Sequence, residues 1–225
     1  MLVGVDIGGT FTDLVLSHNG RLQIHKLLST PDNPARAMLH GLDTITPGGL
    51  AALQQVAHGS TVATNAILER KGAKVAFITT QGFRDLLFIG RQNRPQLYAL
   101  YPTIPAPLIP RQLCYEVPER LDFRGEVLIA LDAAALDSVL DDIVKQQVDA
   151  IAVCFLYSFI NARHEEQVKS RILERGIVEN WQIVLSADVM PEFREYERAS
   201  TTALEAYVRP TMARYITHLE QELPQ

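Results

Sequence analysis

Short β-branched apolar runs open the chain and helix-spaced apolar stripes dominate its second half, two rhythms that predict two kinds of layer. Leu2 to Ile7 reads as a buried strand stopped by Gly8-Gly9, with Thr12 to Leu16 as its hairpin partner. The turn signal His18-Asn19-Gly20 leads into a third strand, Arg21 to Leu28, which completes a meander. Pro31 and Pro34 break it, and a helix is expected from about Ala35. Gln54 to His58 is a further strand, followed by a helix from Val62 to Lys71 that Ser60 or Thr61 can cap and Gly72 stops.

Ala73 to Thr79 is another β run, whereas Gly82 to Pro110, with Pro95, Pro102, Pro105 and Pro107 inside it, reads as a long loop. Asp122-Phe123-Arg124-Gly125 signals a hairpin. Asp132 then caps a helix whose stripe is Leu136, Val139, Leu140, Ile143 and Val144. Ile151 to Leu156 reads as a buried strand, Asn161 to Gly176 as a charged helix and Gln182 to Ser186 as a strand. Glu192 to Tyr207 reads as a helix interrupted by Pro210. Alternating strands and helices make an α/β layer, and with no repeat or clean linker the simplest partition is one domain with an irregular insertion at about 82–130.

Composition narrows the possibilities. At 225 residues and 47% hydrophobic the chain can bury a proper core. A net charge of -5 without a basic run argues against nucleic acid. Cys114 and Cys154 lack metal or redox spacing and read as core thiols. No signal peptide or membrane-length apolar stretch is present, so the cytoplasm is the default location.

The most informative run is Asp6-Ile7-Gly8-Gly9-Thr10-Phe11-Thr12-Asp13. A glycine pair lets backbone N–H groups approach an anion, Thr10 and Thr12 offer hydroxyls, and Asp6 at the end of a strand can hold Mg²⁺ through water. The alternative is a plain hairpin turn with Asp6 and Asp13 as solvated carboxylates. Neither a Walker A loop nor a GxGxxG follows a strand here. The run resembles the first phosphate motif of the actin, sugar-kinase and heat-shock ATPase superfamily.

Later segments narrow the resemblance. His58-Gly59-Ser60-Thr61-Val62-Ala63-Thr64-Asn65-Ala66, Glu69-Arg70-Lys71-Gly72, Ile78 to Asp85, Gly90-Arg91-Gln92-Asn93-Arg94-Pro95, Pro118-Glu119-Arg120 and Met190 to Thr202 follow in order. Together they resemble the N-terminal region of the hydantoinase A and 5-oxoprolinase family. That resemblance implies a ribonuclease H-like N-terminal lobe over residues 1–225, with 191–225 as a helical lead into a second lobe. It also implies an ATP-driven amidohydrolase that phosphorylates the carbonyl oxygen of a small cyclic amide before water opens the ring. ATP with Mg²⁺, and K⁺ as a further candidate, would be the cofactors, and a hydantoinase B-type subunit a partner.

The expected phosphate site is Asp6, Gly8, Gly9, Thr10, Thr12 and Asp13, with Asp6 as the Mg²⁺ residue. Candidates around the substrate are His58, Thr61, Asn65, Arg91, Asn93, Arg94 and Glu195. Each has a structural alternative. His58 can pack locally, Thr61 can cap, the arginines can lie on a solvated loop, and the acidic and basic residues of 192–198 can pair along one helix. No second Asp-x-Gly-Gly-Thr run follows, so half of a nucleotide site, inactive alone, is expected. Competing readings are a subunit of an acetone or acetophenone carboxylase, a small-molecule kinase lobe, and a lobe that only docks a partner.

Overall fold

The structure, a computed structural model, describes every residue except 31, 94, 95, 102, 104 and 223–225. The chain divides into two compact units, Met1–Gly72 with Thr211–Gln225, and Ala73–Pro210. The sequence reads as one domain, but each unit has its own sheet and its own core.

In the first unit β1 (Leu2–Ile7), β2 (Phe11–His18) and β3 (Arg21–Leu28) form the expected meander. Helix α1 (Pro34–Ile45) carries the chain back to β4 (Gln55–Ser60), parallel to β1, and α2 (Val62–Leu68) follows. The sheet order is β3-β2-β1-β4. Strand alternation sends Val3, Val5, Ile7, Leu14 and Leu16 to the inner face, where Met38, Leu42, Tyr215 and Leu219 cover them. α1 lies so close that a Cβ on Gly41 would sit 2.6 Å from Leu14 Cδ1. The outer face is open among the described residues, with Leu22 and Ile24 73% and 75% exposed.

The second unit holds β5 (Val75–Thr80), α3 (Leu86–Ile89), β6 (Cys114–Val117), β7 (Arg120–Leu121) and β8 (Val127–Ile129). It continues with α4 (Ala133–Gln146), β9 (Ala150–Cys154), α5 (Arg163–Glu174), β10 (Ile183–Leu185) and α6 (Ser186–Val189). Its parallel sheet runs β10-β9-β5-β6. Cys114–Val117, inside the span read as irregular, is therefore an edge strand of that sheet. β7 and β8 close the expected hairpin, where the Asp122 carboxylate accepts from Arg124 N and Glu126 N. Asp132 caps α4 by accepting from Ala135 N at 3.0 Å. Leu136, Leu140 and Ile143 are buried as the stripe requires, but Val144 is exposed.

The last helix, α7 (Glu195–Glu222), begins in the second unit and ends in the first. It runs through Pro210 without stopping, contrary to the interruption expected there. A proline removes one hydrogen bond but need not end a long helix that is packed on both sides of it. Ala203, Ala206 and Tyr207 before it, and Tyr215 and Leu219 after it, are all buried. No helix among the described residues is long and apolar enough to cross a membrane.

Candidate functional site

Alternation along β1 and β2 sorts the phosphate-motif residues between two faces. Asp6 and Asp13 are direct cross-strand partners on the outer face, opposite in direction to Val5, Ile7 and Leu14. Asp13 is already neutralised, receiving both its hydrogen bonds from Lys26 Nζ at 2.5 and 2.7 Å. Thr12 points the other way. It is fully buried and its hydroxyl lies 3.0 Å from Ser29 Oγ, so it offers nothing to a ligand and leaves the expected donor set.

Ser29 shapes the turn between the strands. Its hydroxyl donates to Gly8 O at 2.8 Å and its N–H to Thr10 O at 2.9 Å, while Gly8 N donates to Phe11 O at 3.0 Å. Two carbonyls of the turn, those of Gly8 and Thr10, are thus held by Ser29. The N–H groups of Gly9 and Thr10 have no hydrogen-bond partner among the described residues, and both residues are exposed. Neither glycine adopts a positive φ. Space is tight at Gly8, where a Cβ would sit 3.1 Å from Phe11 O, whereas at Gly9 a Cβ would meet Asn65 Nδ2 at an ordinary 3.5 Å.

The segment after β4 braces this turn. Thr61 donates to Ile7 O through both its hydroxyl, at 3.1 Å, and its N–H, at 3.2 Å, and Asn65 Nδ2 donates to the same hydroxyl at 3.1 Å. Thr61 therefore ties α2 to the end of β1 instead of capping the helix with its side chain. His58 is paired with Val5 in the ladder and its Nε2 is hydrogen-bonded to the Tyr215 hydroxyl. Burial lowers the pKa of His58 and raises that of Tyr215 to about 12.

A cavity of about 550 Å³ opens beside the turn, entirely within the first unit. Gly8, Gly9, Asn33, Asn65, Lys71 and Arg214 are among the residues around it. Asp6 and His58 are not. Among the described residues no three His, Cys, Asp or Glu side chains gather as a metal-binding group.

Arg91, Asn93 and Glu195 belong to the second unit. Arg91 donates to Glu197 at 2.8 Å and stacks over Tyr196, while Asn93 and Glu195 are exposed. Arg94 lies outside the described residues. The second unit also buries a polar cluster that the sequence did not announce. Arg198, read as a helix-surface ion pair, is fully buried and donates to Phe155 O at 2.6 Å and Glu192 O at 2.7 Å. Nearby, Glu119 accepts from Thr80 and bonds His164 Nδ1 at 2.7 Å. These groups fix the carboxyl ends of β5 and β9.

A meander with an added parallel strand, a glycine turn with outward N–H groups and a helix on the inner face define the ribonuclease H-like N-terminal lobe of the actin, sugar-kinase and heat-shock ATPase superfamily. The chain superposes on the crystal structure of the ATP-dependent caprolactamase from Pseudomonas jessenii with a TM-score of 0.85 and 34% identity, over 99% of this chain and 34% of that one. Residues 2–176 match the model of the hydantoinase/oxoprolinase N-terminal region, and the chain belongs to that family. It is 36% identical to the caprolactamase subunit alpha of Pseudomonas jessenii, over 97% of this chain and 32% of the relative. It is 32% identical to the acetophenone carboxylase gamma subunit of Aromatoleum aromaticum, over 93% and 31%. The chain thus spans about a third of the length of these relatives.

Proposed function

We propose that this chain is the N-terminal portion of an ATP-dependent cyclic amidase, and that its Gly8-Gly9-Thr10 turn holds the phosphates of ATP. The observation that carries the reading is the turn pinned by Ser29, which leaves the N–H groups of Gly9 and Thr10 without a partner among the described residues and borders, through Gly8 and Gly9, a cavity of about 550 Å³. Two adjacent unpaired N–H donors, one of them on a glycine, suit a phosphate oxygen, and the cavity falls within the size range of small-molecule sites.

Mg²⁺ fits a narrower role. One exposed carboxylate, Asp6, stands beside Gly59, with a Cβ position on Gly59 3.7 Å from Asp6 Oδ1. A single ligand of this kind suits an ion that keeps most of its waters and takes its other ligands from phosphate. Asp6 would hold such a hydrated ion at the edge of the outer face.

ATP supplies the phosphoryl group that makes a resonance-stabilised amide carbonyl electrophilic enough for water to open the ring. The chain's own residues bind and orient: Thr61 and Asn65 keep the turn in place, and Ser29 keeps its carbonyls away from the anion. A complete site further requires the polypeptide that the longer relatives carry beyond the matched third, and a hydantoinase B-type subunit. Small cyclic amides are the substrate class favoured here, by likeness to the caprolactamase.

Titration of the chain with a fluorescent ATP analogue tests the reading. Weak Mg²⁺-dependent binding is expected, abolished by Gly9→Val and losing its Mg²⁺ dependence in Asp6→Asn. Nucleotide binding that Gly9→Val leaves unchanged would sink the phosphate-turn assignment.

A further inference from the structure

The cavity beside the turn is bordered by a cation that the phosphate motif does not include. Two carboxylates border it, and each has its own cation. Asp32 receives Arg36 Nη2 at 2.6 and 2.8 Å, and Glu69 receives Lys71 Nζ at 2.7 Å. Arg214, from the last turns of α7, borders the same cavity, and its one hydrogen bond among the described residues is a long one, 3.5 Å to Thr211 Oγ1. A guanidinium so weakly engaged is unspent donor capacity. Around it stand the amides of Asn33 and Asn65 and the outward N–H of Gly9. With both carboxylates paired, Arg214 is the bordering cation left without an ion pair among the described residues.

We propose that Arg214 is the cation of the phosphate site: it and the Gly8-Gly9 turn border one cavity, which takes an oligophosphate chain between them. The inference rests on the phosphate-turn reading and extends it. The anion would lie against the Gly8-Gly9 turn, bounded by α7 as well as by the hairpin. Guanidinium suits this task because its planar fork gives two parallel hydrogen bonds to phosphate and holds its charge at any working pH. Lys71 is a poorer candidate, being committed to Glu69.

The test is calorimetric titration of the 225-residue chain with inorganic tripolyphosphate and, separately, with ATP. Arg214→Gln should weaken both by roughly tenfold or more and flatten the salt dependence of binding. Arg214→Lys should recover part of the affinity, whereas Arg21→Gln, which removes an exposed charge from β3, should change nothing. Arg214 is exposed, so the variants should keep the wild-type circular dichroism and unfolding midpoint. Equal affinity and equal salt dependence in wild type and Arg214→Gln would overturn the proposal. So would a wild-type chain that binds neither ligand at millimolar concentration.

Failure of the two readings can be told apart. If Gly9→Val abolishes binding while Arg214→Gln leaves it intact, the turn stands and Arg214 is excluded. If Arg214→Gln weakens binding and Gly9→Val does not, the cavity takes the anion without the turn.

Discussion

Glu165 and Arg198, both fully buried, are joined through the hydroxyl of Ser186. Ser186 Oγ donates to Glu165 Oε1 at 2.6 Å and accepts from Arg198 Nε at 3.2 Å. Glu165 also accepts from Phe155 N and Ala187 N, at 2.9 and 3.0 Å, so every buried charge here has partners. Burial still pushes its carboxyl upward, against those hydrogen bonds. Removing the shared hydroxyl in Ser186→Ala should cost about 1–3 kcal/mol in urea unfolding. Arg198→Met, which strips two carbonyls of their donor and leaves the buried Glu165 carboxylate without its bridged cation, should cost about 3–5 kcal/mol. A Ser186→Ala midpoint equal to wild type would show that the bridge is not stabilising.

His58 gives the first unit a pH dependence of predictable sign. Desolvation disfavours the imidazolium, so the folded chain binds this proton less readily than the unfolded chain. Its contribution is complete above the ordinary histidine value of about 6.5 and is lost as pH falls through the lower folded value. An NMR titration of the His58 ring should place its midpoint below that of an unfolded peptide. A midpoint at or above it would contradict the burial.

Both cysteines should be inert in the folded protein. Burial raises Cys114 and Cys154 to about 11, leaving almost no thiolate at neutral pH. Iodoacetamide followed by mass spectrometry should modify neither thiol in native buffer and both in denaturant. Rapid native labelling of either one would place it on an exposed path.

Pro210 is a cost carried inside α7. Pro210→Ala restores a backbone donor and should raise stability by about 1–3 kcal/mol, seen as a higher urea midpoint with an unchanged slope. A loss of stability would mean that the proline sets a bend the packing requires.

What the sequence makes legible here is local. The meander, the Asp122 turn and the Asp132 cap each depend on a few adjacent residues, and each forms where the pattern places it. The site is harder to read because strand alternation divides the motif between the two faces of the sheet. Val3, Val5 and Ile7 already fix one parity, and Leu14 and Leu16 fix the other strand's. Counting by twos from them sends Thr12 inward and Asp6 outward. Ser29 lies 21 residues from the carbonyl it holds, and Arg198 draws on residues as far away as Phe155, 43 residues earlier. No periodicity links such positions. Arg214 was equally hidden, since only the fold brings it to the cavity of the turn.

The interleaving of the two units sets an order on biosynthesis. Residues 73–210 form a contiguous stretch with its own core, whereas the first sheet needs Tyr215 and Leu219 to close its inner face. At typical elongation rates the ribosome spends roughly 7 to 30 s on the intervening 140 or so residues. For that time the nascent meander waits with Leu14 and Leu16 short of their final cover. The second unit can fold first, and the phosphate turn acquires its finished support only after Leu219 has been made.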